Sequence, residues 1–88
     1  MSNVEKTLEE RGSRYGEFAK HATISQELKD IVYKYLDPEK NENIHAEALD
    51  MIMHKVARIL NGDPNYIDSW HDIAGYATLV VKHLTKEK

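Results

Sequence analysis

The chain has 88 residues, no cysteine and a formal net charge of -3, with acidic and basic residues interspersed. This length suits one domain with a small core, and the absence of cysteine excludes a disulfide scaffold and thiolate metal sites. The charge pattern lacks the clustered basic face of a duplex DNA binder, and no apolar stretch approaches the roughly 20 residues that span a bilayer. We therefore expect a cytoplasmic protein without membrane or double-stranded DNA partners.

The first half of the chain is predicted to form two helices. Ser2 and Glu5 have capping-box spacing, and the helix that they begin is predicted to end at Gly12. From Glu17 to Leu36 apolar residues recur on one side at about 100° per residue, which predicts an amphipathic helix. The apolar side consists of Phe18, Ala22, Ile24, Leu28, Ile31, Val32, Tyr35 and Leu36.

The second half is predicted to form an antiparallel helical hairpin. The third helix should begin near Asn43 and end where Gly62 takes the left-handed conformation, and the turn "DPNY" should lead into a fourth helix from about Ile67 to Thr85. Residues 1–88 are therefore predicted to be a single all-α domain, a small helical bundle. Because its core is small, we expect a homo-oligomer, at least a dimer.

The predicted third helix has an apolar face and a polar face. The apolar arc is Ala48, Leu49, Ile52, Met53, Val56, Ile59 and Leu60. The opposite stripe is Glu47, Asp50, His54, Arg58 and Asn61, at spacings of 3, 4, 4 and 3. Such a stripe is typical of a solvated face, and it is also the arrangement that a binding site on a helix requires.

The predicted fourth helix carries apolar groups on two sides. Its core arc is predicted to be Trp70, Ile73, Ala74, Ala77, Val80, Val81 and Leu84. The other side reads Asp68, Asp72, Gly75 and Leu79. A purely solvated face has no need of leucine, and glycine allows another backbone to come close. This second side is predicted to meet another helix or subunit.

Carboxylates on facing helices favour a hard cation such as Mg²⁺ or Mn²⁺, whereas no His-x-x-x-His pair supports zinc. The candidate metal ligands are Glu47, Asp50, Asp68 and Asp72. The candidate substrate-binding residues are Arg14, Lys55, Arg58, Asn61 and Tyr76. In an antiparallel hairpin the two acidic pairs lie apart, so we expect them to meet only across a subunit boundary. Alternatively, Asp68 caps its own helix, Asp72 pairs locally and Tyr76 packs at an interface.

The segments "RGSRYGEFAKHATISQELK" and "EALDMIMHKVARILNGDPNYIDSWHDIAGYATLV" resemble small, mostly uncharacterised phage and prophage proteins. The second segment is also similar to MazG-type all-α nucleotide pyrophosphohydrolases. That resemblance implies Mg²⁺ held beside a nucleoside triphosphate by two acidic helices. Glu47 and Asp50 match the first acidic pair and Asp72 matches the final aspartate. Ser69 stands where the second pair has glutamate, which leaves the acidic set one carboxylate short.

Two functions follow as hypotheses. In the first, the protein is a Mg²⁺-dependent nucleoside triphosphate pyrophosphohydrolase, or a nucleotide binder, in the cytoplasm of a bacterial host. In the second, it is a non-enzymatic phage accessory protein that binds a host or phage protein through a helical surface, with its acidic stripe complementing a basic partner.

Overall fold

The computed structural model describes residues 2–86, which form four helices and no strand. The helices are α1 (Ser2–Tyr15), α2 (Phe18–Tyr35), α3 (Asn43–Asn61) and α4 (Ile67–Lys86). The all-α prediction is confirmed, and α2, α3 and α4 begin and end within one residue of the predicted positions. Among the helices so described, none is long and apolar enough to cross a bilayer.

The prediction that the first helix ends at Gly12 was wrong, because α1 continues to Tyr15. A glycine costs a helix interior only about 1 kcal/mol relative to alanine, which neighbouring turns can offset. The chain leaves the helix at Gly16, whose φ of +80° is a conformation that glycine adopts without strain. The left-handed conformation predicted for Gly62 was also wrong, because its φ is -122°.

The helix α3 lies in the middle of a layer of three helices. The helix α2 packs along one side of α3 and α4 along the other, and over residues 2–86 α2 and α4 make no contact with each other. The first helix, α1, packs across one end of the layer, against α2 and α3. The central helix therefore carries nearly all of the packing between elements.

The helices α3 and α4 form the predicted antiparallel hairpin. Lys55 near the middle of α3 pairs with Asp72 in the second turn of α4 at 3.1 Å. Glu42, the N-cap of α3, lies 3.8 Å from the imidazole of His83 near the end of α4. The pairing of early with late positions fixes the direction of the two helices.

The side of α4 that faces α3 differs from the predicted core arc. The covered residues are Ser69, Asp72, Ile73, Tyr76, Val80 and His83. Trp70 is 54% exposed, and Ala74, Ala77, Val81 and Leu84 are also exposed. Apolar residues occupy more than one side of this helix, so the sequence pattern alone does not select the side that packs. The small Ser69 lies on the side that faces α3 and lets the two helices approach closely.

The polar stripe of α3 also differs from the prediction, because all of it except Glu47 contacts α2 or the end of α1 instead of facing away from the fold. Ala57, at the edge of this stripe, is fully buried. Leu60, which was predicted to be core, is 64% exposed. On α2, the predicted core residues Phe18 and Ile31 are exposed as well. The helices thus join along sides that are mixed in polarity, and much of the apolar surface is left outside.

The chain has little hydrophobic core. In the part of the chain that the structure describes, Ala48 and Ala57 are the only buried apolar residues. The molecule measures 49 × 26 × 25 Å with a radius of gyration of 15.2 Å, whereas a compact domain of this length is expected to have about 12 Å. A single layer of helices accounts for both observations, since each outer helix has a neighbour in the layer on one side only and the central helix is flanked on two sides but not enclosed.

Two glycines provide a test of the description of α1. Gly12 lies within the helix with open space where a Cβ would be, whereas a Cβ on Gly16 would collide with Asn61 and the residue has positive φ. We expect Gly12→Ala to raise the free energy of unfolding by about 0.5–1 kcal/mol. Gly16→Ala should lower it by more than about 1 kcal/mol. Urea unfolding of both variants checks this, and stabilisation by both would contradict the fold at the α1–α2 turn.

Candidate functional site

A cavity of about 500 Å³ lies where the end of α1 and the start of α2 meet the second half of α3. We refer to it as the histidine cavity. Its functional groups are Arg11, Tyr15, Phe18, His21, His54 and Arg58, and Leu8, Gly12, Gly16 and Glu17 complete the wall. Its volume is in the range of about 300–1,000 Å³ that is common for small-molecule sites.

One side chain of α3, that of Asn61, holds the α1–α2 turn, which forms part of the wall of the histidine cavity. The side-chain amide of Asn61 donates hydrogen bonds to the backbone carbonyls of Tyr15 at 2.8 Å and Glu17 at 2.9 Å. A Cβ on Gly62 would collide with the backbone of Arg14 and Tyr15, so glycine is needed there for this close approach. Asn61 was predicted to bind substrate, but both of its amide hydrogens are engaged in holding the turn.

Two histidine rings meet at the base of the cavity. His21 and His54 pack edge to face with ring centroids 4.6 Å apart. Burial, reinforced by the charge of Arg58, lowers the pKa of His54 from 6.5 to about 4 and also lowers the pKa of His21. Both rings are therefore neutral near pH 7, so each offers one N–H donor and one nitrogen acceptor.

The histidine cavity contains polar atoms that the fold leaves unsatisfied. His21 is only 5% exposed, and within residues 2–86 neither of its ring nitrogens has a hydrogen-bond partner. An unsatisfied buried polar group costs about 1–3 kcal/mol. Such groups beside a cavity indicate that a bound molecule or water completes the hydrogen bonding.

Positive charge and aromatic rings lie together in and beside the cavity. The guanidinium of Arg58 stacks over the ring of Tyr15 at 4.1 Å, and that of Arg14 lies 5.0 Å from the ring of Tyr66. Among the described residues, neither Arg11 nor Arg58 forms an ion pair with a carboxylate. The two arginines that line the cavity therefore keep their charge available for an anion.

The structure places the first predicted acidic pair apart from this cavity. Asp50 accepts a hydrogen bond from the hydroxyl of Tyr33 at 2.6 Å, and this bond raises the pKa of Tyr33. The second carboxylate oxygen of Asp50 is buried without a partner among the described residues, whereas Glu47 is exposed. This pair lies on α3 toward its N-terminal half, at the α2 side.

The second predicted acidic pair is engaged locally. Asp68 accepts a hydrogen bond from the hydroxyl of Tyr66 at 3.0 Å. Asp72 pairs with Lys55, whose side chain is only 12% exposed. Over residues 2–86 no group of three or more histidine, aspartate or glutamate side chains could hold a metal ion. A metal site built from both acidic pairs does not fit within one chain, and their meeting across a subunit boundary stays a prediction.

The predicted substrate-binding residues are divided between two regions. Arg58 lines the histidine cavity, and Arg14 and Asn61 stand beside it. Tyr76 lines a shallow groove on α4 with Asp72, next to Lys55. The five residues therefore do not form one site in a single chain.

The family of the protein follows from its sequence. A family model, described as a domain of unknown function, DUF6378, matches residues 1–83. The chain belongs to the DUF6378 family. No curated protein and no solved structure matches the chain. Because the DUF6378 match covers α1 to nearly the end of α4, the histidine cavity lies wholly within the family domain.

Sequence reasoning missed four of the six functional groups in the cavity of this DUF6378 chain. The stretch "RGSRYGEFAKH" contributes Arg11, Tyr15, Phe18 and His21. Its signal is the combination of arginine, two aromatic residues and histidine around the glycine that separates two helices. Helical periodicity within a single helix could not detect this set, because the residues come from the end of one helix and the start of the next.

The half-buried His54 should make stability depend on pH. The unfolded chain protonates this residue near pH 6.5 and the folded chain only near pH 4, so its contribution is complete above 6.5 and is lost as the pH falls toward 4. Because the ring keeps some contact with solvent, we expect the free energy of unfolding to fall by about 1 kcal/mol.

Urea unfolding at several pH values should show a smaller fall in His54→Gln. His71 is exposed and outside the cavity, so His71→Gln should behave like the wild type; equal pH dependence in all three proteins would contradict the assignment.

The pair Lys55–Asp72 separates the two interpretations of the acidic residues. If Asp72 acts structurally, Asp72→Asn should destabilise the fold by about 0.5–2 kcal/mol, because Lys55 loses its partner, and added Mg²⁺ should have no effect. Thermal unfolding with and without Mg²⁺ measures both quantities. A Mg²⁺-dependent stabilisation of the wild type that disappears in Asp72→Asn, without loss of stability, would instead support the metal site.

Proposed function

We propose that the protein binds a nucleotide in the histidine cavity. The observation that carries the proposal is the pair of arginines, Arg11 and Arg58, that face a cavity without a carboxylate partner among the described residues. A nucleotide combines anionic phosphates with an aromatic base, and the cavity combines cationic groups with aromatic rings and neutral hydrogen-bonding groups.

The phosphate end is assigned to the arginines. A guanidinium presents N–H donors in a planar fork that matches two phosphate oxygens, which a lysine cannot do. Arg58 is positioned by its stacking on Tyr15, so less conformational freedom is lost when it binds an anion. Arg11 is exposed on α1 and can approach from the other wall.

The base end is assigned to Phe18 and the histidine pair. Phe18 is 78% exposed at the cavity wall, so its ring can stack against a base. The unpartnered nitrogens of His21 can donate to and accept from the polar edge of the base. Binding would satisfy groups that the fold leaves without partners, which is a source of affinity and of discrimination between bases.

The resemblance to MazG-type enzymes supports a finer proposal, namely hydrolysis of a nucleoside triphosphate to a monophosphate and pyrophosphate in a bacterial cytoplasm. Within one chain the carboxylates Glu47, Asp50, Asp68 and Asp72 do not gather at the cavity. We therefore assign nucleotide binding to the residues of the histidine cavity, and a metal-dependent step would require carboxylates of two subunits to meet.

Titration calorimetry with each nucleoside and deoxynucleoside triphosphate, in EDTA and in Mg²⁺ or Mn²⁺, tests binding. We expect the wild-type protein to bind a nucleotide in EDTA. The affinity for that nucleotide should fall about tenfold in Arg11→Gln and in Arg58→Gln, because each removes one charge-assisted interaction of about 1.5 kcal/mol or more. Lys34→Gln, which removes an exposed cation at the far end of α2, should bind normally. Circular dichroism confirms that each variant is folded.

If no nucleotide gives a heat of binding or raises the unfolding temperature, with or without metal, the proposal of nucleotide binding is wrong. Release of pyrophosphate in the same mixtures would add the hydrolase activity. The alternative function, a non-enzymatic accessory protein that binds a host or phage protein, is favoured by the exposed apolar residues of α4. Failure of nucleotide binding together with a stable complex with another protein would support that alternative.

A further inference from the structure

One face of the three-helix layer is apolar along all three helices. On α4 the stripe is Trp70, Ala74, Ala77, Val81 and Leu84, every member of which is exposed. The spacings of 4, 3, 4 and 3 place these side chains on one line along the helix, about 100° from the side that packs on α3. This is the seam pattern of helices that pack against another helix.

The central helix continues this face. Its stripe is Leu49, Met53, Val56 and Leu60, at spacings of 4, 3 and 4. The first three are half-buried and Leu60 is exposed. On α3 this stripe lies between the sides that contact α2 and α4, so it forms the floor between the two outer helices.

The helix α2 completes the face. Its stripe is Ile24, Leu28, Ile31 and Tyr35, again at spacings of 4, 3 and 4. A shallow groove brings Ile31 and Tyr35 together with Leu49, which shows that the stripes of α2 and α3 open on the same side. We call the three stripes together the open face.

The opposite side of the layer has a different character. It carries Lys55, Asp72, Gly75 and Leu79, and it is the side on which Arg58 faces the histidine cavity. No residue of the open-face stripes is charged. Charges are depleted where an interface is fully desolvated, so the open face fits an apolar partner better than a charged one.

We propose that the open face is covered by the open face of a second copy of this chain, so that two layers form a six-helix dimer. The chain exposes 6678 Å², whereas a compact protein of its mass is expected to expose about 5,300 Å². The excess of about 1,400 Å² exceeds the roughly 800 Å² that each partner buries in a stable interface.

The small size of the hydrophobic core indicates which molecule covers the open face. Ala48 and Ala57 alone, among the described apolar residues, are buried, so the chain needs the open face covered in order to be stable. A second copy is present wherever the chain is made. Two open faces are also equally long and equally apolar, which suits an isologous interface. The dimer leaves both histidine cavities on its outer sides, so it does not depend on the proposed nucleotide binding.

Val81 and Leu79 provide a matched pair of variants. They lie on opposite sides of α4 and are 59% and 58% exposed in the single chain. Val81→Glu places a charge in the open face and should weaken the dimer by at least about a hundredfold, since a twofold interface would bury two unpaired carboxylates. Leu79→Glu and Gly75→Ala, on the opposite side, should leave the dimer intact. Light scattering coupled to size exclusion measures the mass of each.

The single tryptophan gives a second measurement that needs no variant. Trp70 belongs to the open face, so in a dimer its emission should be blue-shifted and protected from iodide, and both properties should be lost on dilution. A wild-type monomer at tens of micromolar with freely quenched Trp70 would overturn the proposal. Dissociation by Leu79→Glu but not by Val81→Glu would overturn it as well, and would move the interface to the side predicted from Gly75 and Leu79.

Discussion

The two hydrogen bonds from the side chain of Asn61 hold the part of the molecule on which the cavity depends. They join the last residue of α3 to the backbone on both sides of Gly16, where α1 ends and the chain turns into α2. Together with the stacking of Arg58 on Tyr15, this connection positions α1, which packs across one end of the layer. The left-handed Gly16 and the close approach at Gly62 serve the same junction.

The central helix α3 packs against two neighbouring helices and also lines the cavity. It presents Asp50, His54 and Arg58 toward α2 and α1, and Lys55 toward α4. Polar groups at helix contacts are costly unless they are paired. Here most of them find partners, and among the exceptions the two ring nitrogens of His21, opposite His54, belong to a residue that lines the cavity. A ligand in the cavity could therefore provide partners for His21, whereas the unpartnered oxygen of Asp50 lies elsewhere on α3.

The sequence was sufficient to predict where the helices begin and end, but it was insufficient to predict which side of each helix packs against its neighbour. Proline and glycine at the connections, with long periodic segments between them, predicted the bounds of α2, α3 and α4. On α4, however, apolar residues are distributed so widely that Trp70 and Ile73 were both predicted to be core, and only Ile73 faces α3. Periodicity reports that a side is apolar but not which neighbour covers it. The cavity escaped prediction for a related reason, since Tyr15 and His21 belong to different helices.

The lack of contact between α2 and α4 has a consequence for cooperativity. Over the described residues, the α2–α3 and α3–α4 pairs share only the central helix, so each pair can lose its packing without directly breaking contacts in the other. Cooperative units of this kind often coincide with such motifs and differ in their opening free energies. Nearly all contacts also join helices that are adjacent in the chain, which is typical of fast folding. Amide exchange in α2 and α4 can therefore report two separate openings, whereas α3 remains protected until both have occurred.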